Sequence, residues 1–137
     1  MLNTKQIKSK SLTIYYTVCQ YVPDPIRQER LNLGLVVQVP ALKFSKFYYH
    51  EQKKRLAAFD PNNDLSFMQI ALESFTELFN ADESDNDPLF ANVTQADFLP
   101  SRTKYFVNCF CFLPVTKCHI KPQQLNDTIS WLQKTYL

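Results

Sequence analysis

L-N-L-G-L-V-V-Q-V, Leu31 to Val39, alternates without a break. Leu31, Leu33, Leu35, Val37 and Val39 fall on one side, and Asn32, Gly34, Val36 and Gln38 on the other. A period of two with β-branched residues is the pattern of a β-strand. The segment upstream, S-L-T-I-Y-Y-T-V-C-Q-Y-V, behaves alike: Leu12, Ile14, Tyr16 and Val18 share one face, and Thr13, Tyr15, Thr17, Cys19 and Tyr21 the other. Downstream, A-L-K-F-S-K-F-Y-Y, Ala41 to Tyr49, follows a short link at Pro40 that suits a tight antiparallel turn. The three segments predict a meander.

Further on, D-P-N-N-D, Asp60 to Asp64, is turn chemistry ending in a good N-cap. A helix then follows to Asn80. Met68, Ala71, Leu72, Phe75, Leu78 and Phe79 repeat at helical spacing, with Gln69, Glu73, Thr76 and Glu77 opposite. Asn80 serves as its stop. The preceding H-E-Q-K-K-R-L-A-A-F reads equally as a short helix or a basic loop. Residues 81–100 read as an acidic, weakly structured region. Tyr105 to Leu113 reads as a fourth strand, apolar on both faces apart from Asn108, as suits a central, doubly covered position. Pro122 opens a last helix with Leu125, Ile129, Leu132 and Tyr136 as its apolar stripe. The fold class is therefore α+β: an antiparallel sheet, three meander strands plus a later central one, with two main helices packed on it.

At 137 residues the chain is expected to form a single domain, with residues 1–10 as a flexible N-terminus. No apolar run reaches the length of a membrane span, and M-L-N-T-K-Q-I-K-S-K lacks the apolar core of a secretion signal. The expected compartment is the cytoplasm, where four cysteines remain thiols. Net charge is only +2, but it is unevenly spread. Residues 1–55 carry ten Lys/Arg against three Asp/Glu, and residues 56–100 carry nine Asp/Glu and no Lys or Arg. If the fold separates them, a basic and an acidic face favour a charge-complementary protein partner or self-association. A solvated acidic loop beside its lysines is the plainer alternative.

Several chemistries find little support. Cys109, Cys111, Cys118 and His119 could offer soft ligands to zinc, but Cys-x-Cys on a strand more simply makes two small hydrophobes. The only histidines are His50 and His119, and His119 adjoins Cys118, so a thiol nucleophile lacks an oriented base. One glycine in the whole chain excludes glycine-rich phosphate loops. Asp24 and Glu29 could pair as in a metal-dependent nuclease, yet the lysine expected two residues after Glu29 is absent. No catalytic residue, metal or cofactor is assigned. Lys43, Lys46, Lys53, Lys54 and Arg55, interleaved with aromatic residues, form a candidate nucleic-acid surface, with a solvated lysine face as the favoured alternative.

The link between the first two strands, P-D-P-I-R-Q-E-R-L-N-L-G, is polar and stiffened by proline, and it holds the lone glycine. Asn32 and Gly34, read as facing away from the leucines, leave a bare backbone that a partner or ligand could approach, with Asp24, Arg27, Glu29 and Arg30 at its edge. The alternative is structural: Glu29 pairs with an arginine and caps the loop, and a helix packs over Gly34.

This segment resembles the signature of a bacterial family known as domain of unknown function 3037. The matching residues are Tyr21, Pro23, Asp24, Arg27, Glu29, Asn32 and Gly34, with Leu35, Val36 and Val37 as the aliphatic run. Gln28 departs from the family's usual glycine, which implies an ordinary backbone there. The resemblance is specific around residues 14–40 and extends through the helix ending near Asn80. It implies a small protein of bacterial or phage origin without a known activity. Association with a HipA-like kinase-fold protein would imply a toxin–antitoxin or defence-type module. The expectation is a non-enzymatic protein-binding accessory protein. A nucleic-acid binder or degenerate nuclease is the alternative.

Overall fold

The computed structural model describes residues 11–24, 26–50, 52–62, 64–81, 93–103 and 109–137. The expected N-terminal tail, most of the acidic region and the first part of the predicted fourth strand lie outside these residues. The described chain is an antiparallel sheet covered on both faces. Its strands are β1 (Leu12–Tyr21), β2 (Leu31–Val39), β3 (Phe44–Tyr49), β4 (Phe110–Phe112) and β5 (Thr116–Ile120). The order is β3-β2-β1, and both β4 and β5 pair with the free side of β1. β4 lies beside Cys19–Tyr21 and β5 beside Leu12–Tyr16, both antiparallel. They behave as one edge strand interrupted at Leu113–Val115, where Pro114 cannot donate to a ladder. Leu113 N still reaches Val18 O (3.0 Å), and the Thr17 hydroxyl donates to Leu113 O (2.6 Å).

The expected central fourth strand is thus corrected. The described part of that segment is three residues of strand at the sheet edge, and β1 and β2 occupy the interior. Polar T-K-C-H-I supplies the remaining edge, which no alternation marks.

Four helices complete the described fold: α1 (Lys53–Phe59), α2 (Leu65–Phe79), α3 (Phe98–Thr103) and α4 (Leu125–Tyr136). The ambiguous basic segment resolves as α1. Asp64 caps α2 by accepting from Ser66 N (2.9 Å) and Phe67 N (3.2 Å). Met68, Phe75 and Phe79 of its stripe are buried. Asn80 ends α2 in extended rather than left-handed geometry. Its side-chain oxygen is used elsewhere, accepting from Phe47 N (2.8 Å) on β3. A 3-10 turn, Pro122–Gln124, leads into α4, where Ile129 and Leu132 are buried.

Two apolar clusters result. Leu12, Ile14, Val18, Leu35, Val37 and Val39 pack with Ile129 and Leu132 of α4. On the other face, Cys19, Tyr21, Leu31, Leu33, Val36 and Phe47 pack beneath α1, α2 and α3. The unbroken alternation of β2 is therefore not one face. Cys19 opposes Gly34 but Gln20 opposes Asn32, so Leu33 is an extra residue, a β-bulge. Leu31 and Leu33 face the three-helix side, whereas Leu35, Val37 and Val39 face α4. One inserted residue reverses the side-chain phase, which period counting along a single strand does not reveal.

Candidate functional site

The bulge changes the meaning of the β1–β2 link. Gly34 shares the three-helix face with Cys19, and the Phe47 ring lies against it. A Cβ built on Gly34 would stand 2.4 Å from Phe47 Cζ. Gly34 is bare because an aromatic ring from the neighbouring strand fills the space. No approach path opens there, and the covering group is not a helix. Asn32 faces α4 instead. Its Nδ2 donates to Tyr136 O (3.0 Å) at the helix end, and its Oδ1 accepts from Gln20 Nε2 (2.8 Å). Arg30 extends the chain of polar contacts, donating to Gln20 Oε1 (3.3 Å) and Cys111 Sγ (3.4 Å). Tyr21 is buried, and its hydroxyl donates to Asp60 Oδ2 (2.7 Å), joining the end of β1 to the turn after α1.

The tip of the link is different. Asp24 shapes it: Oδ1 accepts from Ile26 N (3.0 Å), and its carbonyl accepts from Gln28 N (3.1 Å). The residue that caps the loop is thus Asp24 rather than Glu29. Glu29 Oε1 takes Arg27 Nη2 at 2.9 Å, an ion pair whose side chains are 67% and 51% exposed. Such a pair contributes at most about 1 kcal/mol. Gln28 has φ 60, inside the left-handed region. The expected ordinary backbone at this departure from glycine is therefore wrong: the loop keeps a geometry that glycine adopts freely, and a glutamine bears it. Ile26 stands 92% exposed above this frame.

The five candidate cations fall in a turn, a strand and a helix. Lys43 sits in the β2–β3 turn with φ 51, and Lys46 lies exposed on β3 with Nζ 5.2 Å from the Tyr48 ring centre. Lys53, Lys54 and Arg55 form the first turn of α1, where Arg55 Nη1 donates to Gln52 Oε1 (3.2 Å). Among the described residues, at least one basic and one acidic side chain of the two charge runs meet. Lys53 and Glu73 of α2 line one cleft.

No pattern in the sequence marks that cleft. It encloses about 490 Å³ between the end of β3, α1 and α2. Leu33, Leu56, Met68 and Leu72 form its floor. The bulge brings Leu33 there, so the signal in the sequence was hidden by the same phase reversal. A second depression of about 570 Å³ shares His50, Gln52 and Lys53 with it and adds Lys54, Arg55 and Leu137.

The cysteines separate. Cys118 opposes Ile14 and Cys111 opposes Gln20, six residues apart along β1, or about 20 Å. His119 Nδ1 lies 3.0 Å from Thr13 Oγ1. Among the described residues, no three His, Cys, Asp or Glu side chains gather as a metal site would need. Burial holds the Cys19 thiol far above its usual range, with Cys111 nearby adding to the effect, and burial also raises Cys109 and Cys118. No helix among the described residues is long and apolar enough to cross a membrane.

The profile of a family described as "Protein of unknown function (DUF3037)" matches residues 16–99, well over half of the chain. The chain belongs to this family. Within DUF3037 terms, the match begins in β1 and continues past α2 into α3, further than the signature segment alone suggests. The signature residues divide by location: Tyr21, Asn32 and Gly34 hold the sheet and helices together, whereas Arg27 and Glu29 stand at the surface. No curated protein and no solved structure matches the chain.

Proposed function

We propose that this DUF3037 chain is a protein-binding accessory protein of the cytoplasm, with no reaction of its own, that meets its partner through the loop Asp24–Arg30. The observation that carries this reading is Ile26. An isoleucine left 92% exposed on a loop whose backbone is already fixed by Asp24 is pre-organised for burial against another surface. Arg27, Glu29 and Arg30 follow it in the same loop, charged neighbours such as an apolar anchor has in a polar rim. A HipA-like kinase-fold protein, in a toxin–antitoxin or defence-type module, is the first partner to try, a choice that rests on the family resemblance.

The test is affinity capture from the native cell, followed by titration of the captured protein. Ile26→Asp should weaken binding by about 30-fold or more, as loss of an interface anchor does. Ile26→Leu should retain it, and neither variant should change the melting temperature by more than about 2 °C, since the residue is exposed. Unchanged binding by Ile26→Asp and by Arg27→Ala/Glu29→Ala would remove the loop from the interface. Salt-sensitive binding to DNA or RNA, lost in Lys53→Ala/Lys54→Ala/Arg55→Ala, would favour the nucleic-acid reading instead.

A further inference from the structure

The cleft over Leu33 and the basic depression beside it differ in chemistry and adjoin through shared walls. The first has an aliphatic floor of Leu33, Leu56, Met68 and Leu72, with Tyr49 and Leu65 exposed at its rim. Its volume of about 490 Å³ is ample for a small ligand. Met68 lends the floor an adaptable side chain. The second depression is lined by His50, Lys53, Lys54, Arg55 and Leu137 besides Gln52, with no acidic side chain among the described residues. Glu73 belongs to the first cavity only, where Gln69 Nε2 approaches its Oε1 at 3.5 Å.

Gln52 stands at the seam. Its Oε1 accepts from Arg55, while its Nε2 is buried with no hydrogen-bond partner among the described residues. A buried donor left unpaired is costly. An acceptor oxygen arriving at the seam would relieve that cost after a small rotation of the amide.

We propose that the two cavities together bind a small amphipathic acid, its aliphatic body in the cleft over Leu33 and its carboxylate or phosphate against His50, Lys54 and Arg55. The apolar half supplies affinity by removing hydrocarbon from water. The basic half sets orientation and rejects cations. Neither half alone specifies the ligand, but the two in sequence match an acyl chain with one anionic head.

The experiment uses the full chain and four ten-carbon probes below their micelle concentrations: decanoate, decyl phosphate, decanol and decyltrimethylammonium. Binding is read by calorimetry and by amide shifts in the NMR spectrum. At least one of the two acids should bind, about tenfold or more tighter than decanol. Which acid binds better identifies a carboxylate or a phosphate head. Lys54→Glu/Arg55→Glu should weaken the acid by about fivefold or more, and Gln69→Trp, an exposed rim position, should block the cleft while circular dichroism stays unchanged. Failure of both acids to bind overturns the proposal. So does equal binding of decanol or the ammonium probe, or full retention of binding in either folded variant. A peptide ending in leucine with a free carboxylate that binds where neither decyl acid does would also overturn it, and would assign the cleft to a partner's chain end.

Discussion

The ring of Phe47 occupies the space that any side chain at Gly34 would need, with Cζ 2.4 Å and Cε1 2.6 Å from the Cβ position. The ring cannot step aside cheaply, because Tyr49, Phe75 and Phe79 hold it at centroid distances of 5.7, 5.6 and 6.3 Å. Gly34→Ala should therefore destabilise the fold by about 1–3 kcal/mol, as overpacking does. In urea denaturation, the double variant Gly34→Ala/Phe47→Leu should lose less than the sum of the single losses. Additive losses would mean that the ring and the glycine are energetically independent.

Gln28 makes the opposite prediction. At φ 60 a non-glycine residue is strained by about 1–2 kcal/mol, and glycine removes that strain at some entropic cost in the unfolded chain. Gln28→Gly should raise stability by about 0.5–1 kcal/mol, and Gln28→Val should lower it by about 1 kcal/mol or more. Thermal melts of the three proteins check the order.

Asn32 fastens α4 to the sheet instead of lining an open surface. Asn32→Ala should cost about 1–2 kcal/mol, because it removes the donor to Tyr136 O and the acceptor for Gln20 Nε2. Hydrogen exchange should accelerate at the C-terminal turn of α4 more than in α2. Partner capture through Ile26 should persist, since that residue is exposed and its loop is held by Asp24 rather than by Asn32.

Alkaline pH should erode stability. The folded chain holds the Cys19 thiol protonated well above the usual thiol pKa, while the unfolded chain releases that proton from about pH 8.5. Above that pH the unfolded state binds fewer protons than the folded one, so stability falls as pH rises. The contribution is complete below about pH 8.5, and its loss approaches about 1.4 kcal/mol per pH unit above it. In Cys19→Ala that slope should flatten, even though the variant is less stable at neutral pH. Denaturant midpoints measured from pH 7 to 10 provide the check.

Much of this was legible in the residues. Asp64 and the Met68–Phe79 stripe announced α2, because a cap and a helical period are local signals. The α4 stripe was equally plain behind Pro122. What escaped depends on pairing between distant segments. The bulge at Leu33 exists only relative to β1, so the strand's own alternation concealed it, and with it the roles of Asn32 and Gly34 and the cleft floor. T-K-C-H-I is too polar to read as a strand, and only the ladder to Leu12–Tyr16 makes it one. Asp24 and Gln28 show the same limit within a loop: the residue types suggested a stiff turn, but which oxygen closes it is decided by backbone geometry.

The bonds that Asn80 and Ala81 make to β3 have a further consequence. Ser45 N donates to Ala81 O and Ala81 N to Ser45 O, each at 3.0 Å, while Asn80 Oδ1 takes Phe47 N. The end of α2 thus closes one rim of the sheet against strand addition by another molecule. Along β5 no strand pairs with the outer side among the described residues, and that rim is short and carries the exposed Lys117. A short, charged rim is how natural sheets discourage fibril growth and domain exchange. Association under crowded or partly denaturing conditions should therefore begin at β5, and removing the charge of Lys117 should hasten it.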